Sequence, residues 1–521
     1  MNTLSRRKLL TTALTATCSY LSLDLMAFAS TLTNKGIPVS SKSVLVGLKN
    51  VSPGVYYSVN IEGVGPVVYV SKSYSKFTPD GVKVIKSAYG NIFFIIDEYD
   101  KYQTVRPEWY GCKGVGKEFP DTIPFANMLS SLNTGDNVKL SPKSIYYNSY
   151  PNRDQKKDGW VISANKITLE GNGSTISRDT PFDAKSSGYA SIKITGDNCT
   201  ITGNLLITSD DPTGKKIMDY QSTAVLDNRN IFCSPVANTL NLWAYGAKNL
   251  CVDKNVVLRN AVFNLFANHG SDNIKILCSA ISSGQIYPQP KSKSSDLALG
   301  SSFKLDRCNN ITIDAVSMNT AYAGVELEGH NNKGNIKIKT IRAYHAGLHI
   351  WNSTSNIDFN SYAEDITDGG GLIIGPGCSN CNGTSFVKNA SYAMAFVGDS
   401  SKGDITNCNV TASGENVSRG IEFYARSVID NASIRGNIIN LSAKYGNWVG
   451  GKQYDKIGVV LNGGEGNKLN AKLESFDYIF SVKRGSGNTI NVTYDKYSKK
   501  VYRDDSPFFS NSMKLQKITT K

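Results

Sequence analysis

The chain reads as a mostly β solenoid, a parallel β-helix of stacked coils, and three observations predict it. Glycine (46 residues), Asn-rich turns and β-branched residues dominate, while long helical patterns are scarce, a composition of short strands joined by tight turns. Strand-like segments opening on Asn-Ile recur at Asn273-Ile274, Asn310-Ile311, Asn335-Ile336 and Asn356-Ile357, spaced by 37, 25 and 21 residues. Irregular spacing of this kind is expected when one coil is one repeat and loop lengths vary. Between these segments each repeat carries a second strand that alternates apolar residues with others. One coil cannot bury its apolar face alone, so stacking has to close the core.

The elements follow in order along the 521 residues, whose hydrophobic fraction of 40% permits a large core and argues against global disorder. Residues 1–29 hold the pair Arg6-Arg7, a mostly apolar run and Ala27-Phe28-Ala29, an A-x-A cleavage pattern. "SRRKLL" looks like a bacterial twin-arginine export signal; Asp24 inside the apolar run departs from it, and an amphipathic anchoring helix is the alternative. Residues 30–104 read as a small β-rich module of short alternating runs such as "VYYSVNI" and "NIFFIIDEY". In residues 105–132 Asp121 or Thr122 can N-cap a short helix whose apolar positions include Ile123, Phe125, Ala126 and Leu129, with Pro124 tolerated in the first turn. Residues 496–521 read as a short C-terminal extension.

The segment "PEWYGCKGVGK" followed by "DT" and that helix resembles the opening motif of the pectate-lyase-like right-handed parallel β-helix superfamily. Within it, phage tailspike capsule depolymerases are the nearest likeness. The usual acidic pair before the Thr is only partly matched, by the region Glu118-Phe119-Pro120-Asp121. By length and repeat style the resemblance covers residues 105–495. It implies a right-handed solenoid, a homotrimer, action on a bacterial capsular or surface polysaccharide, phage tail or baseplate proteins as partners, and a place on the virion tail. The export-like N-terminus implies the alternative of a secreted bacterial protein.

The second strands locate the chemistry. They run "LNLWAYG", "FNLFANHG", "FKLDRC", "VELEGH", "LHIWNS" and "GIEFYAR", with inward pairs Leu240/Leu242, Phe263/Leu265, Phe303/Leu305, Val325/Leu327, Leu348/Ile350 and Ile421/Phe423. Two outward columns remain: Asn241, Asn264, Lys304, Glu326, His349 and Glu422; and Trp243, Phe266, Asp306, Glu328, Trp351 and Tyr424. Neighbouring coils lie about 4.8 Å apart, which gathers Lys304, Asp306, Glu326, Glu328, His349 and Trp351 into one patch.

Three carboxylates so close repel, raising the pKa of at least one. A protonated carboxyl beside an ionised one is what glycoside hydrolysis needs, so Glu326, Glu328 and Asp306 are the candidate catalytic groups, with His349 beside them. The same-strand pair suits inversion and a neighbouring-coil pair such as Asp306/Glu326 suits retention, which leaves the outcome open. Asp368 is a reserve carboxylate. Trp243, Phe266, Trp351 and Tyr424 offer ring faces for sugars, and Lys304 and Asn264 polar contacts.

Two other functions compete. A polysaccharide lyase would use His349 or Lys304 as base, with Arg342 or Asn264 neutralising a uronate; a non-catalytic glycan-binding spike or adhesin would bind without making product. The net charge of +14 suits capture of an acidic polymer. Its even spread along the chain argues against a nucleic-acid partner. Of the ten cysteines only Cys378 and Cys381 are close, and no zinc or calcium motif is recognisable, so no metal or cofactor is expected, and buried thiols or a few disulfides are both open.

Overall fold

The computed structural model describes residues 36–149, 159–178, 189–209, 239–287, 297–426, 433–448, 454–495, 499–503 and 512–517; the export-like segment 1–29 lies outside them. A five-stranded sheet opens the described chain. Its spatial order is Ile37–Val39, Tyr56–Ile61, Gly65–Lys72, Phe93–Ile96, Val84–Lys86, and it is antiparallel apart from the first pair. Alternation in these runs buries Tyr57, Val59, Tyr69 and Phe94 on one side.

The rest is a right-handed parallel β-helix. Three ladders of parallel strands run its length, starting at Thr104–Val105, Ile145–Asn148 and Trp160–Ile162. Each strand pairs with the equivalent strand of the next coil. Stacked coils bury Ile201, Val252, Ile276 and Ile313 on the first ladder and Ile176, Ile207 and Leu258 on the second. Ser512–Lys517 pairs in parallel with Thr489–Tyr494, so the first ladder runs on past residue 495.

At the N-terminal end, the helix Thr122–Ser130 lies across the first coil and turns inward Phe125, Met128 and Leu129, spaced i, i+3, i+4. Ile123 and Ala126, expected on its apolar face, are exposed instead. Phe125 stacks on Trp160 at 4.0 Å between centroids, and Trp160 Nε1 donates to Thr122 O at 3.1 Å. Asp121 precedes the helix, but its carboxylate does not cap it. It accepts instead from Lys113 N (2.6 Å) and Gly114 N (3.2 Å), pinning the glycine-rich turn. The fully buried Lys83 joins the opening sheet to this end, donating to Ser131 O at 2.6 Å and pairing with the buried Asp136 at 3.3 Å.

The Asn-Ile repeat marks one turn of each coil. Asn249, Asn273, Asn310, Asn356, Asn380 and Asn407 all hold left-handed φ between 50° and 56°, a conformation Asn tolerates. Their amides bond from coil to coil, as in Asn273 Nδ2 to Asn249 Oδ1 at 2.7 Å. The Asn335 copy differs: it pairs with Thr312, and Lys333 takes the left-handed position. A second ladder, Asn437–Asn467–Asn488, is buried and donates to backbone as well, Asn467 Nδ2 reaching Ile434 O at 2.8 Å and Asn488 Oδ1 at 3.0 Å. The eight described cysteines are all free thiols.

Asn467→Ala is expected to cost about 2–3 kcal/mol, because Asn437 N and Ile434 O each lose a buried partner. The same change at the half-buried Asn470, whose Nδ2 donates to Asn440 Oδ1 at 2.9 Å on a solvent-facing row, should cost less than about 1 kcal/mol. Urea unfolding midpoints of the two variants check this; equal losses would mean the buried ladder carries no special weight.

Candidate active site

The third ladder carries the carboxylates. Its strands include Thr239–Tyr245, Phe263–Asn268, Phe303–Asp306, Ala323–Glu328 and Ala346–Ile350. The predicted inward pairs are buried except Phe263, which is half-buried. The observed register aligns Trp243, Phe266, Lys304, Glu326 and His349 in one column. The next column contains Asp306 opposite Glu328, with Trp351 following.

This corrects the expected columns by two residues in the earlier coils. Phe266, and not Asn264, stands beside Lys304, because Leu265 packs over Phe303. A slip of two preserves every apolar-in, polar-out assignment, so alternation cannot detect it. Asn241 and Asn264 are fully buried at a coil corner. Asn241 Nδ2 donates to Asn264 Oδ1 (2.6 Å), and Asn264 Nδ2 to Ser283 Oγ (2.6 Å). Asn264 is therefore a structural ladder residue and offers nothing to a ligand.

Lys304 organises the site. Its Nζ donates to Glu326 Oε1 at 3.0 Å and to Glu328 Oε2 at 2.5 Å. Ser301 Oγ donates to the other Glu326 oxygen at 2.7 Å, and Asn352 Nδ2 to the other Glu328 oxygen at 3.0 Å. Burial raises the Glu326 pKa above 4.5 and outweighs the pull of Lys304 and Ser301. Burial also pushes Glu328 upward. There the Lys304 charge, with hydrogen bonds from Lys304, Glu326 and Asn352, wins and holds it below 4.5. The two carboxyls are thus driven apart, Glu326 upward by burial and Glu328 downward by the lysine and its hydrogen bonds. The Lys304 ammonium, though disfavoured by burial, is held above its ordinary pKa by both carboxylates.

An open cleft of about 760 Å³ lies over this row, lined by Phe266, Lys304, Asp306, Glu328 and Asn352 among others. Asp306 faces Glu328 from the adjacent coil and pairs with Arg307 at 3.1 Å. Asn352 Oδ1 is a buried acceptor with no partner among the described residues. The floor is thus two acidic side chains on adjacent coils, Asp306 and Glu328, with a third, Glu326, one strand-step behind.

His349, expected on the open face, is only 3% exposed. Trp351 stacks on it at 4.8 Å and 23°, and Tyr322 meets it edge-on at 5.2 Å. Burial, then the neighbouring His345 and Lys304, lower its pKa well below 6.5. It is a neutral, enclosed imidazole, which removes it as an accessible base. The outer columns gave no sign of this, because the covering ring of Tyr322 comes from the preceding turn. Trp351 in turn fills the space above Gly375, where an added Cβ would fall 1.9 Å from its ring.

The other aromatics divide. Phe266 lines the cleft. Trp243 has Lys193 Nζ at 4.5 Å from its ring centre and donates Nε1 to Asn268 at 3.0 Å, so one face and its donor are taken. Tyr424 is 41% exposed and lies three coils beyond Trp351 on the same column, outside the cleft lining. Asp368 also lies outside that lining and accepts from Tyr454 Oη at 3.0 Å. Ser301, Asn352, Arg307 and Lys402 escaped the sequence reading; all four lie at turns or strand ends, where period-two alternation carries no information.

No family model and no curated sequence matches the chain. Solved structures similar to it include the tailspike protein of Escherichia coli bacteriophage HK620 in complex with a pentasaccharide, at 13% identity and a TM-score of 0.49, over 84% of this chain and 83% of that one. Another is tailspike protein 2 from Escherichia coli O157:H7 bacteriophage CAB120, at 12% identity and a TM-score of 0.46; 78% of this chain is covered and only 51% of that one, so the chain spans about half its length. A third is the family 28 exopolygalacturonase of Yersinia enterocolitica, at 12% identity and a TM-score of 0.43, over 79% and 78% of the two chains.

The burial of neutral His349 has a signature in stability. Its folded pKa lies below the unfolded 6.5, so the unfolded chain binds the extra proton first. Its contribution is complete above pH 6.5 and is lost as pH falls through the window below it. Thermal melts from pH 7.5 to 5 should show the midpoint falling with acid, and the slope should flatten in His349→Phe. An unchanged slope would remove His349 as its source.

Proposed function

We propose that the chain is a polysaccharide depolymerase that hydrolyses a glycosidic bond in the cleft over Lys304, Asp306 and Glu328. The observation that carries this reading is one carboxyl pair sharing the Lys304 ammonium, with the deeper Glu326 pushed to a higher pKa and Glu328 held to a lower one. Groups whose environments drive their pKa values apart serve as acid and base. Glu326 is the proton donor to the leaving oxygen, and Glu328 the carboxylate that attacks or activates water. The Glu326 side chain is 9% exposed, so it acts once the bound chain draws the Lys304 ammonium off it. Asp306 steadies positive charge developing on the sugar from the adjacent coil.

Both carboxylate oxygens touch one nitrogen, at 3.0 and 2.5 Å, so they are at most about 5.5 Å apart. Carboxyls this close favour retention over inversion, which needs them about 6.5–9.5 Å apart with room for a water between. The enclosed His349 weighs against the lyase alternative. The resemblance of the opening motif supports a bacterial surface or capsular polysaccharide as substrate, with the chain working as a trimeric spike on a phage tail.

The test is a panel of capsular polysaccharides, following reducing ends together with the ultraviolet absorbance of unsaturated uronate. Reducing ends should appear without absorbance, with the anomeric configuration retained in the first product. Glu326→Gln and Glu328→Gln should each lower kcat by about 10²–10⁴. Absorbance rising with the reducing ends would mean elimination; binding with no product from any polymer would mean a spike that only binds.

The same assignment fixes a bell-shaped pH profile. Activity falls on the acid side as Glu328 takes up a proton below 4.5, and on the alkaline side as Glu326 loses its proton above 4.5. Lys304→Met should move the acid limb upward, because Glu328 loses the cation that holds it down. An unmoved acid limb would separate Glu328 from the rate.

A further inference from the structure

The buried Lys83 takes no part in the cleft or its chemistry. It stands just before Val84–Lys86 of the opening sheet and is 0% exposed, as is Asp136, which leads into Asn137–Lys139 of the solenoid. Its Nζ meets Asp136 Oδ2 at 3.3 Å and Asp80 Oδ2 at 3.4 Å. It also donates to Ser131 O at 2.6 Å and lies 5.0 Å from the centre of the Tyr99 ring. Burying a lysine with carboxylates is a poor source of stability, because desolvation offsets much of their attraction. Held in place and shielded from water, the same groups are instead disposed to react.

The two oxygens of Asp136 are held differently. Tyr99 Oη donates to Oδ1 at 2.8 Å, and Asn133 Nδ2 donates to that Oη at 2.9 Å, which directs the phenol proton onto the carboxyl. Oδ2 faces the amine and accepts from Asn133 N at 2.9 Å. A donor thus stands where charge gathers on a carbonyl oxygen under attack, and the amine stands beside the oxygen that has to leave. Burial raises the Asp136 pKa and outweighs the pull of Lys83 and of these hydrogen bonds, which favours the neutral acid. Burial pushes Asp80 up too, but hydrogen bonds from Tyr110 Oη (2.5 Å) and from the Val84 and Val82 N–H groups, with the Lys83 charge, hold it below its ordinary range. It is an ionised proton acceptor on the other side of Nζ.

We propose that Lys83 and Asp136 condense to an amide, a covalent bond between the opening sheet and the solenoid. The ammonium first passes one proton to Asp136 Oδ2. Nζ then attacks Cγ, the N–C bond forms, and the charge moves onto Oδ1 under the Tyr99 donor. Asp80 takes a second proton from the nitrogen and returns it to Oδ2 as the C–O bond breaks. One water leaves, Oδ1 becomes the amide carbonyl, and neither an oxidant nor a cofactor is consumed. The bond is independent of the hydrolytic reading of the cleft.

Mass spectrometry of the folded full chain tests it. The intact protein should be lighter than its unlinked chain by one water. Trypsin should release residues 77–86 joined to residues 118–139, uncut after Lys83. Asp136→Ala should return the two peptides apart and restore the mass of that water. Tyr99→Phe keeps the ring and drops the donor, and Asp80→Asn drops the proton acceptor; each should slow appearance of the joined peptide in freshly folded protein on the order of a hundredfold. The unsubstituted chain decides the matter even where a variant fails to fold. Recovery of its two peptides apart, cut after Lys83, would mean an ordinary ion pair and overturn the proposal. Loss of a water without the joined peptide would overturn it as well, and unchanged rates in both conservative variants would overturn the step as written.

Discussion

Everything in this molecule follows from parallel, in-register stacking. A residue at a given step of one coil sits one strand spacing from its counterpart in the next, about 4.8 Å, so each side chain has to suit a neighbour of the same orientation. Apolar residues satisfy the condition on the inside, and the buried columns Phe303–Val325–Leu348 and Leu305–Leu327–Ile350 are its direct expression. Asparagine satisfies it at the turns, where an amide is donor and acceptor at once and can bond upward and downward without end. Charged residues do not satisfy it unless their signs alternate.

The site is the place where that last condition is met by a single cation. Glu326 and Glu328 share one strand, and Lys304 of the previous coil lies against both. Without the ammonium, two carboxyls and the facing Asp306 would compete for protons in a half-buried row. With it, the competition resolves in opposite directions: the deeper carboxyl is pushed to a higher pKa and the shallower one held to a lower one. Stacking thus supplies both the proximity that makes the row reactive and the position from which one lysine can order it.

Much of the architecture was legible in the residues, and the limits were specific. Recurrent Asn-Ile turns and alternating second strands predict stacked coils, and the inward pairs from Phe303 to Phe423 are all buried. The juxtaposition of Lys304, Glu326 and Glu328 was also legible, because those coils are joined without long insertions and their registers are forced. Before Phe303, the antiparallel pair Gln285–Tyr287 and Leu297–Leu299 stands between the second and third ladders, and a shift of two residues costs nothing in pattern; Asn264 and Phe266 change places accordingly. Burial of His349 was not legible, since alternation describes a strand and its faces but not a ring brought over the face by Tyr322 from a turn. Arg307 and Lys402 on the cleft wall escaped for the same reason, lying at turns.

The helix across the first coil has a consequence beyond local packing. A stack of parallel strands ends in a row of unpaired backbone groups and a cross-section of core, which is a template for another stack. Phe125 laid on Trp160, with the opening sheet tethered through Lys83 and Asp136, covers that cross-section with side chains that no strand can pair with. The lid therefore acts as a chain terminator. A solenoid lacking it would offer that cross-section to a second stack, and the opening sheet of residues 37–96 with the helix Thr122–Ser130 is what closes this end of a repeating architecture.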